Sequence, residues 1–349
     1  MDKVSSMRQE LIEQLFPSEP AYRRKQRERA FFDAKIDGWA GITTLPKLER
    51  QTLQDKVPWI SHQLAKLITS DIDDTTKALL QTLDGMYFET VLLPNARGAW
   101  TICVSSQIGC AMGCRFCATG AMDFKRNLTV DEIADQYRFW QQHLVKKLGN
   151  TERISNVVFM GMGEPLANYE NIKAAILTWL ENTDLGPTHI IVSTVGLLTK
   201  LEEILIDATW PPVRLAISLH SADSVERQKI VPSSTPDFLT KLADWSHRYA
   251  VNLGNRRLYL TFEYTLIAGV NDSLREARVL ADYMMTTAVR KINLIPCNPI
   301  DGGDLAGSDS NNILAFEKIL LARGIDATRR RSFGGDIQAA CGQLAGSAS

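Results

Sequence analysis

Three cysteines stand at the spacing Cys110-x3-Cys114-x2-Cys117 in this chain of 349 residues. Thiolates so arranged suit both iron–sulfur clusters and zinc. An iron–sulfur cube with three protein ligands keeps one iron open, and that iron can bind a small chelating molecule. A structural zinc takes four ligands, usually from two knuckles a dozen or more residues apart, and no second knuckle or His-x3-His follows. Cys103, seven residues upstream, would be a fourth zinc ligand only if it left the strand its neighbours predict; taken alone it reads as a buried core thiol. Cys297 precedes Asn298-Pro299 and reads as packing, while a lone cysteine in the small-residue stretch around Cys341 is ordinarily inert.

The elements that must position these residues follow from patterning. Short apolar runs rich in Val, Ile and Thr predict strands at 100–105, 157–162, 190–195, 214–219, 258–265 and 291–296. Helical stretches lie between and after them at 130–148, 168–180, 197–206, 238–249, 274–285 and 311–322. Repeated strand–helix units imply a parallel sheet, because parallel strands need a crossover. Right-handed crossovers would curl it into a barrel or part of one, with an open doubly wound sheet as the competing arrangement. Unusual motifs follow or close five of the strands: the cysteine loop, Gly163-Glu164-Pro165, Ser193-Thr194, Ser218-Leu219-His220 and Asn298-Pro299. Active sites of parallel α/β folds collect at that rim. Gly161-Met162-Gly163 lacks the full dinucleotide glycine pattern.

The organisation expected is a helical accessory domain over 1–85, a core over 86–331 and a C-terminal segment over 332–349 that carries Cys341. Composition, at 45% hydrophobic and 23% charged, suffices for a sizeable core. A formal net charge of −1 excludes a polycation, so nucleic acid would need a local basic patch. The first residues read as an amphipathic helix and not a signal peptide, and no run approaches the ~18 apolar residues of a membrane span. The expectation is a soluble, cytoplasmic protein with reduced cysteines.

The cysteine motif after a first strand, with Gly163-Glu164 after the second, resembles the radical S-adenosylmethionine (SAM) superfamily. More narrowly, "CVSSQIGCAMGCRFCATG", "FMGMGEPLANYENI", "LAISLHSADS", "LIPCNP" and "DIQAACGQLAG" resemble the RlmN/Cfr family of RNA adenine methyltransferases. The match runs through 89–346, and "TTLPKL" extends it more loosely into the N-terminal region. The resemblance implies a partial (β/α)6 TIM-like barrel with a small N-terminal helical domain. It implies a [4Fe-4S] cluster on Cys110, Cys114 and Cys117, and SAM along Gly163, Glu164, Ser193, Ser218, Leu219, His220 and Asn298, two molecules per turnover. Cys341 matches the methyl-accepting cysteine, Cys103 the resolving thiol and Glu89 the proton acceptor. The partners implied are 23S ribosomal RNA, transfer RNA and a reducing electron donor such as flavodoxin, with a monomeric enzyme and no membrane.

Chemistry is consistent with that set. C2 of adenine is an electron-poor aromatic carbon and a poor nucleophile, whereas a cysteine thiolate can take a methyl group first. The hard radical step belongs to the cofactors. Releasing the product then requires loss of a ring proton and a second thiol. Outside the resemblance, Glu89 would be an exposed strand carboxylate and His220 a satisfied strand-end histidine. Basic clusters at Arg23–Arg29, Lys125-Arg126, Arg256-Arg257 and Arg329-Arg330-Arg331 each read singly as solvated faces. With the family in view, the first and last become phosphate contacts, and joint replacement of Arg23, Arg24 and Arg27 is expected to weaken RNA binding. The leading reading is C2 methylation. C8 methylation of the same ribosomal adenine, conferring antibiotic resistance, is the alternative that "CATG" and "SFGGDI" favour. A non-catalytic, zinc-bound RNA-binding protein is the third.

Overall fold

A computed structural model describes residues 6–95, 98–149, 153–252 and 260–346. Its first unit is a cluster of three helices, α1 (Met7–Leu15), α2 (Ala21–Phe31) and α3 (Lys47–Lys56). They bury Ile12, Phe31, Trp39, Ile42, Leu45, Leu53 and Val57 against one another.

The expected helical domain over 1–85 is corrected here. After α3 the chain forms strands β1 (His62–Thr69), β2 (Thr76–Thr82) and β3 (Tyr87–Pro94), paired antiparallel in order. Burial of Ala78, Leu80 and Phe88 drives this meander onto the core, so a boundary at residue 86 would cut the β2–β3 hairpin. Next come β4 (Trp100–Cys103), the short pair β5 (Gln107–Ile108) and β6 (Arg126–Asn127), helix α4 (Val130–Leu148), β7 (Ile154–Phe159) and α5 (Tyr169–Asn182). The alternation continues through β8 (Ile190–Thr194), α6 (Leu198–Ile206), β9 (Arg214–Ser218), α7 (Ser224–Ile230) and α8 (Phe238–Asn252). It ends with β10 (Leu260–Leu266), α9 (Leu274–Met285), β11 (Lys291–Pro296), α10 (Ser310–Ala322) and β12 (Asp326–Arg329).

One sheet contains most strands, in the order β1-β2-β3-β4-β7-β8-β9-β10-β11-β12. From β4 onward its neighbours are parallel, as the alternation of strands and helices requires. The expected strand–helix units are present, with α7 and β12 as additions. The second expected strand shifts towards the N-terminus, because Met160–Met162 form the turn that leaves β7. Residues 256–259, with the Arg256-Arg257 cluster, lie outside the described part. Trp140, Trp179 and Trp245 are wholly buried in the helical layer against the sheet.

The helical unit docks on α4 through buried charge. Arg8 binds Asp131 at 3.0 Å and Asp135 at 2.5 Å, and Arg138 lies 3.3 Å from the Phe31 ring centroid. Three arginines of the N-terminal basic run are engaged internally, while Lys25 and Arg29 are exposed. Arg27 is buried against Glu19, Arg23 pairs with Glu49, and Arg24 with Glu28. Of the three arginines expected to meet RNA together, only Arg24 is exposed, and each has a carboxylate partner within the helical unit.

Candidate active site

β4 ends at Cys103, and the chain turns through buried Val104–Gln107 into the cysteine loop. Internal hydrogen bonds set that loop: Cys117 N–H donates to Cys114 O at 3.1 Å, Gly120 N–H to Cys117 O at 2.9 Å. Cys110, Cys114 and Cys117 line one cavity with Met112, Phe116 and Thr119. Burial pushes the thiol of Cys110 up to about 11 and those of Cys114 and Cys117 upward as well. Three neighbouring thiolates in such a place need positive metal beside them, which fits a cluster. Among the described residues no three His, Cys, Asp or Glu side chains are placed to share a single metal ion. On a cube each thiolate takes its own iron, so lining one cavity is what the ligands must do.

The cavity continues along the strand ends, past Gly163, Glu164, Ser193, Ser218 and His220. Gly163 has φ 94° and an added Cβ would meet the Gln107 Cβ at 2.4 Å, so no other residue fits the turn. Glu164 is buried, and its carboxylate joins β7 to β8. It accepts the Thr194 hydroxyl at 2.6 Å, Val195 N–H at 2.8 Å and Leu166 N–H at 2.9 Å. Burial pushes this carboxyl up and those donors oppose the shift. With its side chain so engaged, the turn can offer a ligand chiefly backbone. His220 adopts φ 57°, and its Nδ1 accepts Thr265 N–H at 3.0 Å. Burial lowers its pKa to about 3, so the ring is neutral and Nε2 carries the proton.

Two of the expected ligand-contact residues lie elsewhere. The Leu219 side chain is wholly buried and does not line the cavity. Asn298 Nδ2–H donates to Cys341 O at 3.0 Å, so it holds the C-terminal segment. That segment crosses the rim. Ala118 N–H donates to Gly342 O at 2.6 Å and the Thr119 hydroxyl to Leu344 O at 2.6 Å. Gly342 has φ 86°, and a Cβ there would meet Phe116 O at 2.8 Å. Cys341 is exposed and lines the cavity beside the three loop cysteines.

Cys103 is buried just outside the lining, and burial followed by the neighbouring Cys341 thiol pushes its own thiol up. Glu89 is buried too, not exposed as its strand position alone suggested. Its Oε1 lies 3.0 Å from Lys77 Nζ, and its Oε2 accepts Ala345 N–H at 2.8 Å and Gly346 N–H at 3.1 Å.

Two residues of the site, Glu263 and Arg227, escaped the sequence reading, and a third, Arg330, was marked only as part of a basic cluster. Glu263 lines the cavity with Oε1 accepting Asn293 Nδ2–H at 2.8 Å, and Arg330 lies 3.5 Å from its Oε2 and 3.1 Å from Met160 Sδ. Arg227, on α7, donates to Leu219 O at 2.9 Å, Val195 O at 2.8 Å and Ser218 O at 3.0 Å. It thereby ties the ends of β8 and β9. A charged residue within an apolar strand, as Glu263 is, was the available signal for one of them.

The radical SAM superfamily model matches residues 104–280. The dual-specificity RNA methyltransferase RlmN of Solidesulfovibrio magneticus is 38% identical over 328 residues, covering 93% of this chain and 91% of that one. The ribosomal RNA large subunit methyltransferase N of Nitrosopumilus maritimus is 41% identical, covering 87% and 86%. A radical SAM methyltransferase from Sphaerobacter thermophilus, solved by crystallography, superposes with a TM-score of 0.89 at 35% identity over 99% of both chains. Cysteine loop, strand-end cavity and matched length agree: the chain belongs to the radical SAM superfamily and, within it, to the RlmN family of RNA methyltransferases.

Proposed function

We propose that this methyltransferase acts on C2 of an adenine in 23S ribosomal RNA and in transfer RNA, through a methylated cysteine. The observation that carries the reading is the placement of Cys341 on the cavity lined by Cys110, Cys114 and Cys117. The superfamily's cofactors are a [4Fe-4S] cluster and SAM. The three loop cysteines would hold the cluster, and the turn at Gly163 with Ser193, Ser218 and His220 would receive SAM, two molecules being used per turnover. Bound there, they supply an electrophilic methyl group and a hydrogen-abstracting carbon radical.

The chain's own residues do the rest. The Cys341 thiol, exposed at the mouth, loses its proton and takes the methyl group on sulfur. Its exposure also lets an outward-turned adenine approach, as base chemistry on structured RNA requires. Carbon–carbon bond formation leaves the base joined to Cys341 by a thioether. Glu89 accepts the ring proton, and Cys103, buried behind Cys341, attacks the Cys341 sulfur. A disulfide forms, the sulfur–carbon bond breaks, and the departing carbon takes a proton to become the methyl group of the product. A thiol reductant later reopens the disulfide. The helical unit grips folded RNA by shape and backbone. An electron donor such as flavodoxin reduces the cluster, and the enzyme works as a cytoplasmic monomer. No helix among the described residues is long and apolar enough to cross a membrane.

Mass spectrometry of nucleosides from treated RNA tests the assignment: 2-methyladenosine is expected, and 8-methyladenosine in its place would transfer the chain to the C8 branch. A colourless preparation containing zinc and no sulfide would restore the non-catalytic reading.

A further inference from the structure

Lys77 and Glu89 occupy neighbouring strands. Lys77 is in register with Val91, so Glu89 lies diagonally opposite on the same face. Their side chains are 10% and 6% exposed and form an ion pair. Among the described residues, every further contact of the pair's charged ends goes to one segment. Lys77 Nζ donates to Gln338 O at 3.1 Å, three residues before Cys341. The second oxygen of Glu89 takes the amides of Ala345 and Gly346, just after it. Gln338 is a non-glycine residue at φ 51°, a left-handed conformation that persists only where its surroundings hold it.

We propose that Lys77 and Glu89 form a single clamp that positions the Cys341 loop over the cysteine motif, with Lys77 a positioning residue. A buried ion pair is on its own weak support for stability, since apolar partners can replace it. Its remaining hydrogen-bonding capacity, though, is spent on both flanks of one loop. This inference rests on the methyl-carrier reading of Cys341 and adds an order of events to it. While the loop is seated, both Glu89 oxygens are engaged and the carboxylate is not a free base. Release of the Ala345 and Gly346 amides frees Oε2. The loop therefore has to lift before Glu89 can accept a proton, so methyl loading and deprotonation belong to different loop positions.

Hydrogen exchange on the full-length, cluster-loaded protein tests this. Lys77→Met and Glu89→Gln should each raise exchange of the 338–346 segment by about tenfold or more, the scale of one lost charge-assisted hydrogen bond. Exchange across β2 and β3 should stay as in the parent, and Lys77→Arg should restore much of the protection. Both variants should also slow methylation of Cys341 in the absence of RNA, read as one methyl increment on the protein mass. A Glu89 that is only a base would leave that loading step untouched. Unchanged exchange of the segment in both variants overturns the clamp, as does loss of β2–β3 protection together with the segment in both. A parent protein that never carries methyl on Cys341 defeats the methyl-carrier reading instead, and the exchange results still judge the clamp.

Discussion

Cys341 and Cys103 differ in exposure, and that difference suits them to different steps. An exposed thiol on an irregular segment can meet first a methyl donor and then a base. A buried thiol pushed up by desolvation stays protonated and inert until a reactive sulfur is brought against it. Cys341→Ala should therefore abolish methylated nucleoside while leaving cluster content unchanged, read by product analysis alongside iron and sulfide determination. Cys103→Ala should stop one step later, with protein and RNA covalently joined; clean turnover by that variant would show Cys103 to be a bystander. Arg227 acts through position. It is 1% exposed, and its guanidinium donates to carbonyls of Val195, Ser218 and Leu219 while lying 3.6 Å from the Phe238 ring centroid. Arg227→Ala removes these bonds, although Leu219 O keeps Ser221 N–H at 2.8 Å, and should cost at least about 2 kcal/mol in urea unfolding, with weakened SAM binding. A change within a few tenths of a kcal/mol would show that β8 and β9 hold their ends unaided.

At the scale of elements, the join between β1 and α4 carries a pH dependence. His62 packs edge-on to Phe88 and Phe139, and among the described residues neither ring nitrogen has a hydrogen-bond partner. Burial lowers its pKa from 6.5 to about 4, while nearby Asp135 raises it and Arg138 lowers it. The unfolded chain takes up this proton near 6.5, so the native state has its full stability above that pH. It loses stability as pH falls towards 4, by up to about 3 kcal/mol. His62→Phe should flatten the stability profile across that window, measured as melting temperature against pH, and an equally steep profile would refute it. The same region shows what the sequence could not reveal. The parallel units were legible because their strands are compact β-branched runs, and the cysteine loop because its ligands are close in sequence. β1 and β2 were not: "HQLAKLIT" and "TKALLQT" are rich in Leu, Lys, Gln and Ala, which favour helix, and pairing overrides them. A register shift between Leu64 and Lys66 blurs the alternation further. Lys77 and Arg227 act on partners brought close only by the finished fold, so no local pattern could have marked them, and the basic triplet that marked Arg330 could not show its turn towards Glu263.

For the whole molecule, a net charge of −1 means that RNA affinity must come from where cations are left unpaired. Arg23, Arg24 and Arg27 are engaged with Glu49, Glu28 and Glu19, so replacing them together removes internal ion pairs as well as charge. The C-terminal triplet divides differently. Arg330 turns towards Glu263 and Met160, whereas Arg329 and Arg331 are exposed on the stretch leading to Cys341. The Arg329 guanidinium meets the Ser310 hydroxyl at 3.3 Å, Arg331 lies 5.2 Å from the Phe333 ring centroid, and among the described residues no carboxylate pairs with either charge. If these two meet phosphate, their joint replacement by Ala should weaken RNA binding and lower the slope of log affinity against log salt by roughly 0.7 to 0.9 per lost contact. Cluster content and thermal stability should be unaffected. The Arg23, Arg24 and Arg27 triple replacement should instead lower the melting temperature of the helical unit with a smaller change in slope for each charge removed. Equal slopes for the parent and the Arg329 and Arg331 double variant would place the RNA on another face and separate the mouth of the cavity from the phosphate track.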